Sequence, residues 1–349
     1  MNAVTPVPLP AVSVIMPVLD EERHLRDSVR HILEQDYPGE LEVVIALGPS
    51  ADRTDAIAAE LVAEDPRVRT VPNPTGRTPA ALNAAIKASR HPVVVRVDGH
   101  GMLSPDYIAT AVRLLEETGA ANVGGLMHAE GENDWERAVA AAMTSKIGVG
   151  NAAFHTGGAA APADTVYLGV FRREVLERQG GYNVEFVRAQ DWELNHRIRE
   201  AGHLIWFSPE LRVSYRPRPS VGTLARQYRD YGRWRRVVTR YHRGSVNLRY
   251  LAAPAALLAN AAGIVVGAAL TPWALAVPAA YVVGITAGSL PAGRGLPVGA
   301  RLRVPLALAT MHMCWGFGFL TSPRSLARRV IAGRRPAVTD PARPAPADV

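Results

Sequence analysis

Residues 93–100 read Val93-Val94-Val95-Arg96-Val97-Asp98-Gly99-His100. The β-branched run from Val93 to Val97 has the composition of a strand buried on both faces, and it ends in a carboxylate, a glycine and an imidazole. Open α/β sheets place their sites at the carboxyl ends of such strands. With Gly99 letting the backbone turn, an oxygen of Asp98 and a nitrogen of His100 can converge on one divalent cation. Histidine beside a carboxylate suits Mn2+ better than Mg2+, which favours all-oxygen shells. The simpler role for Asp98 is to cap the helix announced by Ser104-Pro105-Asp106.

The flanks repeat one alternation. Val12 to Pro17 reads as a first strand, closed by a proline that cannot continue a central ladder. Asp20 is an expected N-cap with Glu21 and Glu22 in the first turn, and Leu25, Val29, Ile32 and Leu33 form the stripe of a helix packed on a sheet. Leu41–Leu47 and Val68–Val71 are further strands around a helix at Thr54–Glu64. Gly76-Arg77-Thr78-Pro79 opens another helix, with Thr78 as cap and Pro79 in the first position. After Asp98 come a helix from Pro105 to Thr118, strands near Val123–Met127 and Thr165–Phe171, and a helix from Gln190 to Ala201. Strand–helix alternation implies an α/β fold, a doubly wound, mostly parallel sheet with helices on both faces. The first strand-to-helix turn, Pro17-Val18-Leu19-Asp20-Glu21, has no glycine, which argues against a nicotinamide or flavin enzyme.

Charge is unevenly placed. Residues 1–211 hold 19 Lys and Arg against 29 Asp and Glu, whereas Arg212 to Tyr250 holds eleven Arg and one acid. The pI of about 9.8 therefore describes a basic belt and not the globular body. A nucleic-acid binder would carry positive charge on the body, so nucleic acid is not an expected partner. The single Cys314 rules out an intrachain disulfide and fits a reducing compartment. Val12 to Leu19 is too short and too quickly followed by acids to be a secretory signal.

Beyond Tyr250 the composition changes. Leu251–Leu270 and Pro272–Leu290 are uncharged, and at 1.5 Å per residue each spans a hydrocarbon core of roughly 30 Å. Val304–Leu320 is a shorter third candidate. If all three cross, the loop with Arg294, Arg301 and Arg303 and the tail with Arg324, Arg328, Arg329, Arg334 and Arg335 fall on opposite sides, against the positive-inside rule. The expected organisation is an N-terminal extension (1–11), a catalytic domain (12–215), basic juxtamembrane helices (216–250), a membrane region of two or three helices (251–320) and a basic, then Pro/Ala-rich disordered tail (321–349).

With Val12–Pro17 and Asp20-Glu21, Gly76 through Asn83, Asp98-Gly99-His100, Gln190-Asp191-Trp192-Glu193-Leu194 and Gln227 through Trp234 in this order, the chain resembles the family 2 glycosyltransferases. These are nucleotide-sugar-dependent inverting enzymes of GT-A fold. Within that family it is most similar to bacterial exopolysaccharide enzymes of the succinoglycan ExoA type. The resemblance implies a nucleotide-sugar site at Pro17, Leu19, Glu21, Ser50, Arg77, Asn83 and Asp98, a divalent cation (Mn2+ or Mg2+) on Asp98 and His100, and Asp191 as general base. It also implies acceptor contacts at Trp192, Glu193, Gln227, Arg229, Arg233 and Trp234. His100 replaces the second acid of the usual Asp-x-Asp pair, as in related polypeptide N-acetylgalactosaminyltransferases. The family's uracil-pairing acid is absent, because its place reads Leu47-Gly48-Pro49-Ser50; a UDP-sugar is nonetheless the expected donor. The implied acceptor is a polyprenyl-linked glycan and the implied location the plasma membrane, touching its lipids, with the catalytic domain cytoplasmic. The alternative, motivated by Leu47 and His100, is a non-catalytic scaffold in a polysaccharide assembly complex.

Overall fold

The computed structural model describes residues 9–242 and 244–332; most of the N-terminal extension and the tail beyond Arg335 lie outside them. The strands are β1 (Val12–Val18), β2 (Leu41–Leu47), β3 (Val68–Pro72), β4 (Val93–Arg96), β5 (Met102–Leu103), β6 (Asn122–Ala129), β7 (Ala161–Pro162), β8 (Tyr167–Arg172) and β9 (Ile205–Tyr215). Helices α1 (Leu25–Leu33), α2 (Thr54–Glu64), α3 (Thr78–Ala88) and α4 (Tyr107–Thr118) lie between the early strands. They are followed by α5 (Asp134–Met143), α6 (Lys146–Val149), α7 (Ala153–Thr156), α8 (Arg173–Arg178) and α9 (Gln190–Glu200). The C-terminal helices are α10 (Val221–Tyr241), α11 (Arg249–Ala269), α12 (Ala276–Ala292), α13 (Val298–Leu320) and α14 (Arg324–Ala332).

The sheet runs β3-β2-β1-β4-β8-β6-β9-β5, with β7 paired to β9. Its first four strands are parallel, and β8 is antiparallel to both β4 and β6. Alternate residues of each strand go to opposite cores: Val14, Val43 and Val95 pack with α1 and α4, while Ile15, Val44 and Val94 pack with α3, α8 and α9. Two buried faces explain why these strands read as unbroken apolar runs.

Two expectations about ends fail for local reasons. Pro17 does not close β1: it pairs with Ala46, and the strand continues to Val18. Ile15 bonds toward β4, whose ladder with β1 ends at Arg96, so the proline two residues on faces a side where no donor is required. Thr78 is also not a cap, because α3 is capped by Arg77 and Pro79 lies in its first turn.

One buried acid ties the amino ends of the first strands. Glu42, 2% exposed, accepts from Ser13 Oγ at 2.6 Å, from the Arg90 amide at 2.6 Å and from Arg69 Nη2 at 3.0 Å. Burial works against its ionisation, but Ser13, Arg90 and Arg69 together hold its pKa down to about 2. A lowered carboxylate pKa contributes stability above its unfolded value, and that contribution is lost as pH falls through the folded one. Urea unfolding of the solubilised protein should therefore weaken by on the order of 3 kcal/mol on acidification toward pH 2. Glu42→Gln should lose about as much at neutral pH and show little of that acid dependence.

Candidate active site

Strand order reverses on either side of the β1–β4 pair, so the loops leaving β1 and β4 emerge side by side at a topological switch point. The loop after β1 is not the helical turn that its acids suggest. Asp20 is left-handed (φ 55°), its carboxylate accepts from the Ala51 amide at 2.8 Å, and α1 begins only at Leu25. The amides of Asp20, Glu21 and Glu22 instead donate to Ser50 Oγ, Thr54 Oγ1 and Asp52 Oδ2 at 3.1, 2.7 and 3.1 Å. Ser50 thus braces the loop from below. Above it, a Cβ added at Gly76 (φ 63°) would lie 3.4 Å from Pro49 and 3.8 Å from Leu19. Leu19, Pro49 and Gly76 form an apolar notch beside the exposed Arg77, a shape and charge suited to a flat base and its phosphate.

The same loop reaches the Asp-x-His pair. Gly99 lies so close to Glu21 that an added Cβ would be 2.9 Å from its Cγ, and this approach lets Glu21 Oε1 meet His100 Nδ1 at 2.7 Å. That hydrogen bond raises the His100 pKa against the opposing effect of burial. Among the described residues no group of three or more His, Cys, Asp or Glu is placed to hold a metal. A cation held by Asp98 and His100, as the resemblance implies, would therefore need its remaining ligands from substrate phosphates and water. A carboxylate on Nδ1 is the usual outer-shell arrangement for a ligating histidine, and Nε2 makes no hydrogen bond among the described residues.

Opposite this pair stands Asp191, on the first turn of α9. Ala189, left-handed at φ 60°, turns the chain into the helix. Asn83, expected at the nucleotide, instead clamps the preceding turn: it donates to Tyr182 O at 2.7 Å and accepts from Tyr182 N at 2.8 Å, beneath Gly181 at φ 71°. One side chain joins the two carboxylates. Arg96, 5% exposed at the end of β4, donates from Nη2 to Asp98 Oδ1 at 2.9 Å and from Nη1 to Asp191 Oδ1. Asp98 and Asp191 therefore meet one buried guanidinium, with their side chains 25% and 38% exposed. Burial raises the Asp191 pKa, Arg96 opposes the rise, and the charge of Asp98 adds to it. A carboxylate with a raised pKa can accept a proton from an incoming hydroxyl. Arg96 was legible as the one charge inside a valine run, yet its place between two acids was not.

The expected acceptor residues divide. Gln227 Nε2 donates to the hydroxyls of Tyr215 and Tyr231 at 2.9 Å each, and Tyr215 meets the edge of Tyr167, which feels the charge of Asp98. This end of α10 is therefore tied to β9 and β8 through Tyr215, Tyr231 and Tyr167, three tyrosines that sequence reading missed. Glu193 is fully buried: it bonds Arg197 at 2.9 Å and faces His242 at 3.5 Å. Trp192 is stacked on His196 and covered by the Arg235 guanidinium, and Trp234 is 8% exposed against Phe186. In place of touching an acceptor, these three residues lock α9 to α10. Arg233 lies over α14's approach, where its carbonyl accepts from Ser322 Oγ at 2.9 Å. Arg229, with Arg226, Leu257, Cys314 and Phe317, lines a cleft of about 350 Å³ between α10, α11 and α13.

A mostly parallel sheet with an Asp-x-His pair at its switch point is the architecture of a glycosyltransferase of GT-A fold. The chain belongs to glycosyl transferase family 2. That family's model matches residues 13–180, and the chain is 31% identical over 325 residues to Succinoglycan biosynthesis protein ExoA of Rhizobium meliloti, covering 91% of this chain and 96% of that one. It is 24% identical over 249 residues, 69% of this chain and 77% of the other, to a Methanococcus voltae transferase. That relative is named dolichyl N-acetyl-alpha-D-glucosaminyl phosphate 3-beta-D-2,3-diacetamido-2,3-dideoxy-beta-D-glucuronosyltransferase. Among solved structures, the mannosyltransferase PcManGT from Pyrobaculum calidifontis, in complex with GDP-Man and Mn2+, shares the fold. Its TM-score is 0.56 at 22% identity, with 90% of this chain and 87% of that one covered. The protein is a glycosyltransferase, and the scaffold alternative falls with that.

Proposed function

We propose that this glycosyltransferase is a membrane-anchored inverting enzyme that moves one sugar from a nucleoside-diphosphate donor to a lipid-linked glycan. Its catalytic domain faces the cytoplasm at the plasma membrane, and the product feeds exopolysaccharide or cell-envelope glycan. The observation that carries the reading is the bridge from Arg96 to both Asp98 and Asp191, which brings the donor side and the base side within one guanidinium's reach. In the transfer the acceptor O–H proton goes to Asp191, the acceptor oxygen bonds the anomeric carbon, and the nucleoside diphosphate leaves with the electron pair of the broken C–O bond. Asp98 and His100 would hold a divalent cation whose charge offsets that growing on the diphosphate. Mn2+ is the first ion to test, since PcManGT is described with it. Leu19, Pro49 and Arg77 receive the base and a phosphate, and a UDP-sugar is the first donor to test.

The name of one relative, for succinoglycan biosynthesis, supports an exopolysaccharide product, and that of another, with its dolichyl phosphate acceptor, supports a lipid-linked substrate. So does the cleft between α10, α11 and α13, whose lining is apolar, as a prenyl chain needs, and which Arg226 and Arg229 flank. Replacing both arginines by alanine should raise KM for a polyprenyl-linked acceptor by about 10-fold or more, and leave kcat with a short water-soluble acceptor nearly unchanged. Steady-state kinetics on the two acceptors checks this. Equal effects on both would remove the cleft from acceptor binding.

A further inference from the structure

α11 and the segment Pro272–Ala292 are each long and apolar enough to cross a bilayer, and α13 with α14 qualifies as a third crossing bent by 68°. The contacts of α13 argue otherwise. Near its start, Arg303 Nη1 lies 3.4 Å from Asp134 Oδ2 on α5. At mid-length, His312 Nε2 meets the Ile147 carbonyl oxygen at 2.8 Å. Toward its end, the backbones of Gly232 and Trp315, and of Gly318 and Arg229, approach so closely that no Cβ would fit at either glycine. Just beyond, Ser322 Oγ donates to Arg233 O and Arg240 Nη1 donates to Ser322 O, both at 2.9 Å. Buried Ala300, Val304, Ala307, Leu308 and Met311 follow the helical repeat on the same side.

From Arg303 to Ser322 is about 28 Å of helix, nearly a hydrocarbon thickness. A crossing helix would put these two residues in different aqueous phases. Here both ends and the middle are bonded to one charged body, and α10, which runs beside α13, carries Arg226, Arg229, Arg233, Arg235, Arg236 and Arg240. Drawing α10 into hydrocarbon would strip water from six guanidinium groups, which is strongly unfavourable. The hairpin of α11 and α12 also touches this body, with Tyr281 Oη 3.3 Å from His312 Nδ1 and Ile285 buried, and differs from α13 in its lack of charge and its open apolar faces. No charge occurs from Leu251 to Leu290, Val265, Val282 and Val283 are 65%, 61% and 67% exposed, and its turn carries Trp273, 87% exposed, a residue favoured at bilayer interfaces.

Resting on the membrane-anchored reading above, we propose that the α11–α12 hairpin is the whole of the membrane crossing and that α13 lies on the catalytic side. Arg294, Arg301 and Arg303 and, on α14, the exposed Arg324, Arg328 and Arg329 then face the same leaflet as the arginines of α10, where they meet anionic headgroups. The positive-inside conflict, which arises only if α13 crosses, disappears.

Cysteine labelling of the full chain in sealed vesicles of both orientations tests this. In a Cys314→Ser background, single cysteines replace Lys87 on the catalytic body, Thr271 in the hairpin turn, Arg294 before α13 and Ser325 after it. A membrane-impermeant maleimide should label Lys87→Cys, Arg294→Cys and Ser325→Cys from one face and Thr271→Cys from the other. Ser325→Cys labelled from the face of Thr271→Cys would overturn the proposal, since α13 would then cross, and Arg294→Cys labelled from that face would overturn it too, since α12 would then not cross. Thr271→Cys labelled from the face of Lys87→Cys would instead overturn the anchoring itself, and the proposal with it. Val298→Cys and Arg328→Cys repeat the two ends should a first variant fail to insert.

Discussion

Asp191→Asn should lower sugar transfer by roughly 10²–10⁴ while leaving donor binding intact, because the amide keeps the shape of the side chain and cannot take a proton. The fold should survive, since Asp191 does not cap α9 and Arg96 keeps its ion pair with Asp98. Transfer of radiolabelled sugar, set beside equilibrium binding of the nucleoside diphosphate, reads the two effects separately. In the unmodified protein, kcat/KM should fall on acidification at a pH above the range of an ordinary aspartate, as burial raises the Asp191 pKa. Loss of donor binding in step with transfer would remove Asp191 from the base role.

Arg96→Met should cost about 10²-fold in transfer and move that acid limb to still higher pH. Arg96 opposes the rise in the Asp191 pKa, so without it the carboxylate faces the charge of Asp98 unrelieved and ionises later. Arg96→Lys should recover part of the rate, because an ammonium restores charge but cannot span two carboxylates as a guanidinium fork does. The pH–rate profiles of the three proteins, compared at saturating donor, check the order. An unshifted limb in Arg96→Met would reduce Arg96 to a packing residue.

Local rules carried much of the fold in the sequence. β-branched runs marked β1, β2 and β4, and the alternation of strand and helix implied the sheet and its switch point. Ends were harder: Asp20 and Thr78 look like caps by residue type, yet the amides at Asp20 are met by Ser50, a side chain thirty residues away. No periodicity contains that partner. Asp98 and Asp191 were each visible as motifs, but their meeting depends on Arg96, whose two bonds join positions 95 residues apart on one side and two on the other. Glu193, Trp192 and Trp234 were misread for a related reason. Acid and aromatic side chains look alike in sequence whether they meet a ligand or, as here, Arg197, His196 and Phe186. Hydropathy likewise cannot tell α13, laid against the catalytic body, from α11 and α12, whose apolar faces are open.

Single-step transfer, with Asp191 taking the acceptor's proton, fixes the configuration of the product. Proton NMR of freshly formed product, read at the anomeric signal before any mutarotation, tests it most directly. Direct attack by an Asp191-activated hydroxyl predicts a glycosidic bond of configuration opposite to that of the donor. A product with the donor's own configuration would contradict the account.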